Sequence, residues 1–323
     1  MARRAFGRVP GSSRGYATAA PTSTEPKRLG LIGARGYTGQ ALTTLLSGHP
    51  PPQPLARLLS PTRRFAARRD VENMEKEGVV DAWVMALPNG VCKPFVDAVD
   101  RGAKERGENA SVVVDLGADY RFENDWTYGL PGCYATSTQL LLAPLVPYLK
   151  PGYLPTVFGV SGYSGAGTIM ENDPATGKLV TKPKVSAESL KGGIKPYSLT
   201  GHIHEREAGH HLSTLLTSEA GPVKVAFVPS VAPWFSGIIS TASVPLKEKN
   251  DSQGCGWVKD VAQLQDVEGE HGWTVGGFQM SVEGDRVVVV GGLDNLLKGA
   301  ATQCLQNLNL ALGYAEYAGI PTH

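Results

Sequence analysis

Apolar and polar positions fall into two textures along this chain of 323 residues. In the first, short apolar runs alternate with stretches of helical period. Arg28-Leu-Gly-Leu-Ile-Gly33 reads as a strand that runs into Gly33-Ala-Arg35-Gly36-Tyr37-Thr38-Gly39. A helix is predicted from Thr38 to about Ser47, closed by Gly48 and Pro50. Asp81–Pro88 predicts a second buried strand, followed by a helix over 92–103, and Ser111–Gly117 a third strand. Apolar strands alternating with helices predict a parallel, doubly wound sheet. Ligands of such sheets bind beyond the carboxyl ends of the strands. That places Asn89, the turn after Asp115 and the loop carrying Arg121 near one crevice.

The second texture begins near Pro155. Thr156–Val160, Val223–Val228, Ile238–Val244 and Trp273–Val290 read as strands, the last folded into a hairpin at Glu283-Gly-Asp-Arg286. Residues 171–195 and 247–272 read as loops, and one strong helix is predicted from about Asp294 to Leu312. The expected division is a basic leader over 1–25, a nucleotide-binding domain over 26–154 and a strand-rich domain over 155–293. Cys133 is expected at the end of the nucleotide-binding domain, which the helix 294–313 rejoins.

Composition narrows the function classes. Charged residues are 19% and hydrophobic ones 41%, ordinary for a globular enzyme, and the net charge of +1 offers no footprint for nucleic acid or an acidic membrane. Three charge-free stretches, 127–149, 151–170 and 225–246, are each broken by Pro, Gly, Ser and Thr and do not read as membrane spans. Cys92, Cys133, Cys255 and Cys304 form no CxxC pair, which argues against a zinc site or a disulfide scaffold. The leader differs from the rest. It holds Arg3, Arg4, Arg8 and Arg14 with several Ser and Thr and no acid before Glu25, the composition of a mitochondrial transit peptide.

Chemistry concentrates in a few motifs. Cys133 follows Pro131 and Gly132 and opens a run predicted helical from Ala135 to Leu145. A cysteine on a first helical turn faces unpaired N–H groups and the positive end of the dipole, which favours a thiolate nucleophile. A lone cysteine equally suits a small buried hydrophobe. Gly201-His202-Ile-His204-Glu205-Arg-Glu207 supplies imidazoles and carboxylates for acid–base work. HxH also suits a metal, but no further His or Cys stands at ligand spacing except His210 and His211, on what reads as an exposed helix. Gly33, Gly36 and Gly39, between strand and helix, fit a dinucleotide turn, although in GxxGxxG spacing. Ser161-Gly162-Tyr-Ser164-Gly165-Ala-Gly167 is a second glycine-rich loop, able to cradle an anion or admit a flat ring. Arg121 is a candidate carboxylate or phosphate clamp, with a surface ion pair as the plain alternative. Asp294 reads as a helix cap, leaving Asn295 open to an amide-bearing ligand.

Taken in order, these motifs resemble the N-acetyl-γ-glutamyl-phosphate reductase family. They are Gly33–Gly39, Asp115-Leu-Gly-Ala-Asp-Tyr-Arg-Phe122, Pro131-Gly-Cys-Tyr-Ala-Thr136, Ser161–Gly167, His202–Glu207 and Asp294-Asn-Leu-Leu-Lys-Gly-Ala-Ala301. The likeness runs from about residue 29 to 317 and is greatest to the fungal mitochondrial branch, whose precursor also carries acetylglutamate kinase. It implies a fold class of α/β: a Rossmann-type doubly wound sheet plus an α+β catalytic and dimerisation domain of the semialdehyde dehydrogenase type. It implies NADP(H) as cofactor, held by Gly33, Arg35, Gly36, Tyr37, Thr38, Gly39, Ser164, Gly165 and Asn295. Cys133 would be the nucleophile that forms a thioester, and His202 the acid–base group, with His204 and Glu207 orienting. Arg121, Ser161 and Gly162 would bind substrate, and no metal is implied. A homo-oligomer in the mitochondrial matrix, associated with acetylglutamate kinase, completes the implied picture.

The chain departs from the family pattern in three places. Tyr128-Gly-Leu-Pro131 runs directly into Gly132-Cys133, where the family inserts a loop. Leu58–Arg69 is arginine-rich, with no clear strand, where a Ser-Ser-Arg-Glu-like stretch is expected, and 247–276 is short. These gaps are expected to compromise substrate positioning and the adenosine 2′-phosphate site more than hydride chemistry. Rival readings are an aspartate-semialdehyde dehydrogenase-like enzyme, a Cys–His hydrolase, and a weakly active copy that chiefly partners the kinase.

Overall fold

The structure, a computed structural model, describes residues 2–3, 26–47, 57–58, 68–123, 126, 132–174, 176–177, 179–216, 221–248 and 260–321. The leader beyond Ala2–Arg3, the arginine-rich stretch over 59–67, the junction at 127–131 and the segment 249–259 lie outside the described residues. The chain forms two compact units, Met1–Leu130 with Ala301–Pro321, and Pro131–Ala300.

In the first unit the chain runs through β1 (Ala2–Arg3), β2 (Arg28–Ile32), α1 (Tyr37–Ser47), β3 (Arg57–Leu58), α2 (Arg68–Lys76), β4 (Ala82–Met85), α3 (Lys93–Arg106) and β5 (Val112–Asp115). The sheet order is β1-β5-β4-β2-β3, parallel except for β1 at the β5 edge. The predicted doubly wound sheet is therefore present. Strands buried on both faces split their side chains by alternation. Ala82 and Val84 of β4 join Leu29, Leu42, Val112 and Val114 in one core, while Trp83 and Met85 join Val71, Val96, Val99 and Val113 in the other. Gly30 leaves the space that the Trp83 ring fills; a Cβ there would collide with it. A fully buried carboxylate, Glu75, ties this second core together. It accepts from Trp83 Nε1 at 2.8 Å, Ser111 N at 2.9 Å and Arg106 Nη2 at 3.2 Å.

The second unit begins with α4 (Cys133–Leu142) and continues through β6 (Thr156–Gly162), β7 (Thr168–Asn172), β8 (Leu179–Pro183), α5 (Ala187–Leu190), β9 (Lys195–Pro196) and α6 (Ile203–Ser213). Then come β10 (Ala226–Ala232), β11 (Ile238–Pro245), β12 (Trp273–Met280) and β13 (Arg286–Leu293). Six strands form one mixed sheet in the order β12-β13-β11-β6-β10-β9. The predicted hairpin is β12–β13, paired antiparallel with a register shift between Gly276 and Gln279. Helices α4 and α6 pack on this sheet and on each other. Tyr134, Leu141 and Leu142 of α4 and Ala208 and Leu212 of α6 meet Val157, Phe227, Ile238, Val244 and Val289 in a single core. From Ala301 the chain belongs again to the first unit, where α7 (Thr302–Leu312) places Cys304, Leu305 and Leu308 in the core shared with β2 and β4.

By its own packing the chain divides after Leu130, and Cys133 lies in the second unit. The cause is fit: a Cβ on Gly159 would strike the Tyr134 ring, and one on Gly291 would stand 2.9 Å from Leu141 Cδ2, so these glycines open the sheet to α4. Residues 171–195 are not all loop, because β7 and β8 pair with each other from Thr168↔Pro183 to Asn172↔Leu179. The closing helix is also interrupted. A wide π-type turn over Leu297–Ala301 precedes α7.

Candidate active site

The first candidate centre is the glycine turn after β2. The strand order reverses about β2, with β3 on one side and β4 on the other, so the carboxyl ends of β2 and β4 flank the topological switch point. Gly33 sits there at φ +93°, a conformation that favours glycine, and a Cβ would collide with the Ala86 carbonyl at the end of β4. Gly39, buried in α1, lies so close to Gly33 O and Ala34 that it too admits no side chain. Gly36 is less constrained and shapes the turn through its N–H, which donates to Gly33 O at 3.1 Å. Gln40 Nε2 donates to Arg35 O at 2.7 Å and pins the turn. Arg35 is exposed, with Tyr37 and Thr38 half-buried at the helix start. A tight backbone turn leading into an N-terminus of 11-residue α1 fits a pyrophosphate, which needs amide donors and no side chains in the way.

Arg121, in the same unit, does not stand as an open clamp. Its Nε donates to Gly117 O at 2.9 Å and Nη2 to Leu116 O at 3.4 Å, so the guanidinium folds back on the turn that carries it.

The second centre lies at the start of α4. Cys133 is the first residue of that helix, half-buried, with Gly132 as an extended N-cap. Neighbouring Tyr134 is buried, and its hydroxyl donates to Ser230 O at 2.7 Å. The Tyr134 ring meets His204 edge-on, with centroids 6.3 Å apart. His202 and His204 are themselves in edge contact at 4.8 Å, and Phe227 packs against both at 5.4 and 6.3 Å. α4 and α6 thus bring the sulfur's helix and both imidazoles into one neighbourhood. Glu207 is fully buried, one helical turn beyond His204, with 3.8 Å between His204 Nε2 and Glu207 Oε2.

The start of α6 assigns different parts to the two histidines. His202 is the N-cap, and its Nδ1 accepts from His204 N at 3.2 Å. A neutral ring that accepts at Nδ1 carries its proton on Nε2. Glu205 completes the cap: its carboxylate accepts from Gly201 N at 2.7 Å and from Phe227 N at 3.1 Å, tying the turn to β10. The spacing of cap and N3 carboxylate is that of a capping box, with histidine in the place of serine. From the sequence Glu205 counted only as one of the motif's carboxylates, and its capping role went unread although that spacing was visible. Tyr197, whose ring meets His202 edge-on at 5.9 Å, was missed as well. Burial first, and then the charge of Cys133, push the Tyr197 phenol upward, so it remains a proton-bearing donor. Burial likewise raises Tyr134 well above the ordinary range.

The glycine-rich loop after β6 is held from within. Ser161 is buried and donates to Gly162 O at 3.0 Å. Gly162 packs so tightly on Phe235 O that a Cβ would collide with it. Ser164 Oγ accepts from Asn295 Nδ2 at 2.9 Å, while Gly165 is exposed. Asn295 is not open to a ligand as expected. It is buried, and its Oδ1 accepts from Gly237 N at 2.7 Å. Asp294 does cap the following turn, accepting from Leu296 N at 2.7 Å and Leu297 N at 3.0 Å through Oδ1. Its Oδ2 accepts from Ser236 Oγ at 2.8 Å and Gly269 N at 2.9 Å. His210 is exposed on α6, as expected, but His211 is half-buried.

Comparison with known proteins gives two family matches that overlap over residues 133–140. Residues 28–140 match the NAD binding domain of semialdehyde dehydrogenase, and residues 133–295 its dimerisation domain. The chain is 47% identical to protein arg-6, mitochondrial, of Neurospora crassa, over 92% of this chain and 37% of that protein. That alignment runs over 345 positions against 323 residues here, so it opens gaps in this chain. Identity to N-acetyl-γ-glutamyl-phosphate reductase of Stenotrophomonas maltophilia is 39%, over 91% of this chain and 98% of the relative. The chain spans 37%, 38% and 36% of the length of three fungal relatives, little more than a third of each. Among solved structures, aspartate semialdehyde dehydrogenase from Francisella tularensis superposes with a TM-score of 0.63 over 88% of this chain and 99% of that one. At 15% identity, that likeness is one of fold.

Proposed function

We infer that this chain, which belongs to the N-acetyl-γ-glutamyl-phosphate reductase family, reduces N-acetyl-γ-glutamyl phosphate to N-acetylglutamate 5-semialdehyde in arginine biosynthesis. The observation that carries this reading is Cys133 on the first turn of α4, with α6 and its two imidazoles packed beside that helix. The positive end of the α4 dipole favours a thiolate. Cys133 Sγ bonds to the γ-carbonyl carbon, and the bond to the phosphate oxygen breaks with its electron pair leaving on inorganic phosphate. A thioester remains, which accepts hydride more readily than a carboxylate does. NADPH, when bound, supplies that hydride to the thioester carbonyl. His202, with its proton on Nε2, hydrogen-bonds the carbonyl oxygen and stabilises the negative charge that develops there while keeping that proton. Collapse of the tetrahedral adduct returns the electron pair to Cys133 Sγ and releases the aldehyde.

Gly33, Gly36, Gly39 and the α1 N-terminus hold the pyrophosphate of the nicotinamide cofactor, with Arg35, Tyr37 and Thr38 around it. NADP is favoured over NAD because, although the family's Ser-Ser-Arg-Glu-like stretch is missing, the sequence after β3 carries Arg63, Arg64, Arg68 and Arg69 in its place and no carboxylate before Asp70. Asn295 acts by holding the Ser161–Gly167 loop in place rather than by meeting the nicotinamide itself. The dimerisation-domain match, together with exposed Phe158, Trp273 and Val275 on β6 and β12, supports a homo-oligomer. The arginine-rich leader and the mitochondrial names of the fungal relatives support the mitochondrial matrix, and the length of those relatives beyond this chain leaves room for association with acetylglutamate kinase. Identities of 39% to the reductase and 15% to the dehydrogenase speak against an aspartate-semialdehyde enzyme.

The test is Cys133→Ser. It is expected to abolish NADPH oxidation, while the wild-type chain given acyl phosphate without NADPH gains an N-acetylglutamyl adduct on Cys133. Normal turnover by the serine variant would end the thioester reading.

A further inference from the structure

We propose that Gly299 is a positioning residue for Cys133: its lack of a side chain lets the turn after Asp294 seat directly against the cysteine backbone and fix where the sulfur stands. The observation is steric. A Cβ built on buried Gly299 would stand 2.7 Å from Cys133 Cβ and 2.9 Å from Cys133 Cα. Carbon atoms in contact prefer about 3.5–4.0 Å. Both atoms belong to, or are bonded to, the backbone, so no change of rotamer relieves the overlap.

Neither side of this contact is able to retreat easily. On one side, Gly299 N donates to Asp294 O at 2.8 Å across the π-type turn, and Asp294 O itself lies 3.2 Å from the added Cβ. The Asp294 carboxylate is anchored by four hydrogen bonds, to Ser236, Gly269, Leu296 and Leu297. On the other side, α4 is anchored through Tyr134 to Ser230 O and through Ser137 Oγ to Ser240 Oγ at 2.9 Å. The Tyr134 ring fills the notch at Gly159, which stops the helix from sliding. Two anchored backbones therefore meet at Gly299 and Cys133. A wide helical turn is uncommon and is often found at functional sites. Here it presents the one residue type that fits.

The catalytic consequence rests on the nucleophile reading of Cys133; the contact itself does not. Four full-length chains separate the two: wild type, Gly299→Ala, Cys133→Gly and the double variant. Gly299→Ala is expected to lower Tm, and Cys133→Gly, which removes one of the two clashing atoms, to halve that loss or better. In folded Gly299→Ala, alkylation of Cys133 by iodoacetamide, followed by mass spectrometry at fixed pH, should change by roughly threefold or more as access and orientation shift. Its kcat should fall about tenfold with the KM for NADPH held within about twofold, because displacement of a reacting atom costs rate rather than cofactor binding. An equal loss of Tm in both backgrounds, including failure of both alanine variants to fold, overturns the proposal, since the clash then lies elsewhere. So does an unchanged alkylation rate in a folded Gly299→Ala chain. Turnover that survives Cys133→Ser would instead remove the nucleophile reading and leave the melts to judge the contact.

Discussion

Glu205 offers a direct way to ask whether the histidine turn must be held still. Both of its carboxylate oxygens accept backbone N–H groups, from Gly201 at 2.7 Å and Phe227 at 3.1 Å. One bond closes the start of α6, and the other fastens that start to β10. Hydrogen bonds to a charged group contribute about 1.5–3 kcal/mol each, and partial exposure at this site brings the pair to about 2–3 kcal/mol. Glu205→Ala should then lower Tm by about 3–5 °C, given an unfolding entropy of about 2.1 cal/mol/K per residue over 323 residues. The kinetic effect should be larger than the stability effect suggests, because His202 and His204 lose the frame that orients them. A displacement approaching 1 Å predicts a fall in kcat of about 10- to 100-fold. Glu205→Gln keeps one carbonyl oxygen and so serves Gly201 or Phe227 but not both; it should lie between wild type and alanine. NADPH absorbance gives kcat, and differential scanning calorimetry gives Tm. An alanine variant that matches wild type in both measurements refutes the reasoning, as does a glutamine variant worse than alanine.

Other outcomes follow from separate features. Gly33→Ala forces a side chain into the Ala86 carbonyl at a φ of +93°, and should weaken NADPH binding about tenfold or more, read by fluorescence titration; unchanged affinity would remove this turn from the cofactor site. Glu75→Ala leaves Arg106, only 16% exposed, without its buried carboxylate, and should cost about 3–5 kcal/mol in chemical denaturation; a cost under about 1 kcal/mol would refute the network's role. Burial, and then His210, lower His211 to about 4, so its neutral form is favoured in the fold. The unfolded chain takes up that proton first, so this contribution is intact above about pH 6.5 and is lost as pH falls toward 4, by about 1–2 kcal/mol after discounting for exposure. His211→Gln should flatten that slope, and an unaltered slope places its origin elsewhere.

The sequence made legible what depends on neighbours along the chain. The β2–Gly33–α1 unit is such a case, because an apolar strand, a glycine turn and a helix lie within 20 residues. Cys133 at a helix start was legible for the same reason. Less visible was anything set by fit between distant segments. The allegiance of α4 to the second sheet depends on Gly159 and Gly291, which carry no polar or apolar signal of their own. Arg121 and Asn295 were read as open because their chemistry suits ligands. Their partners, Gly117 O for the one and Gly237 N with Ser164 for the other, are groups that no pattern announces. The β7–β8 pair escaped notice since, among the described residues, the two strands pair only with each other and none of β7 is buried to impose alternation.

The filled carboxylate of Asp294 has a consequence for how the second unit opens. A carboxylate presents about four acceptor positions, and all four here are taken by three separate stretches of chain. Asn295, one residue on, adds the amide of Gly237 and the hydroxyl of Ser164 to the same knot. Fluctuations that release one of these strands must first expose a buried charge, so the strands share one opening event instead of fraying separately. The amides of Gly237, Gly269, Leu296 and Leu297 accordingly belong to one exchange class, although they span some 60 residues of sequence. The loop after β6, fastened to that knot through Ser164, inherits its timescale: it moves when the knot does, and otherwise keeps still.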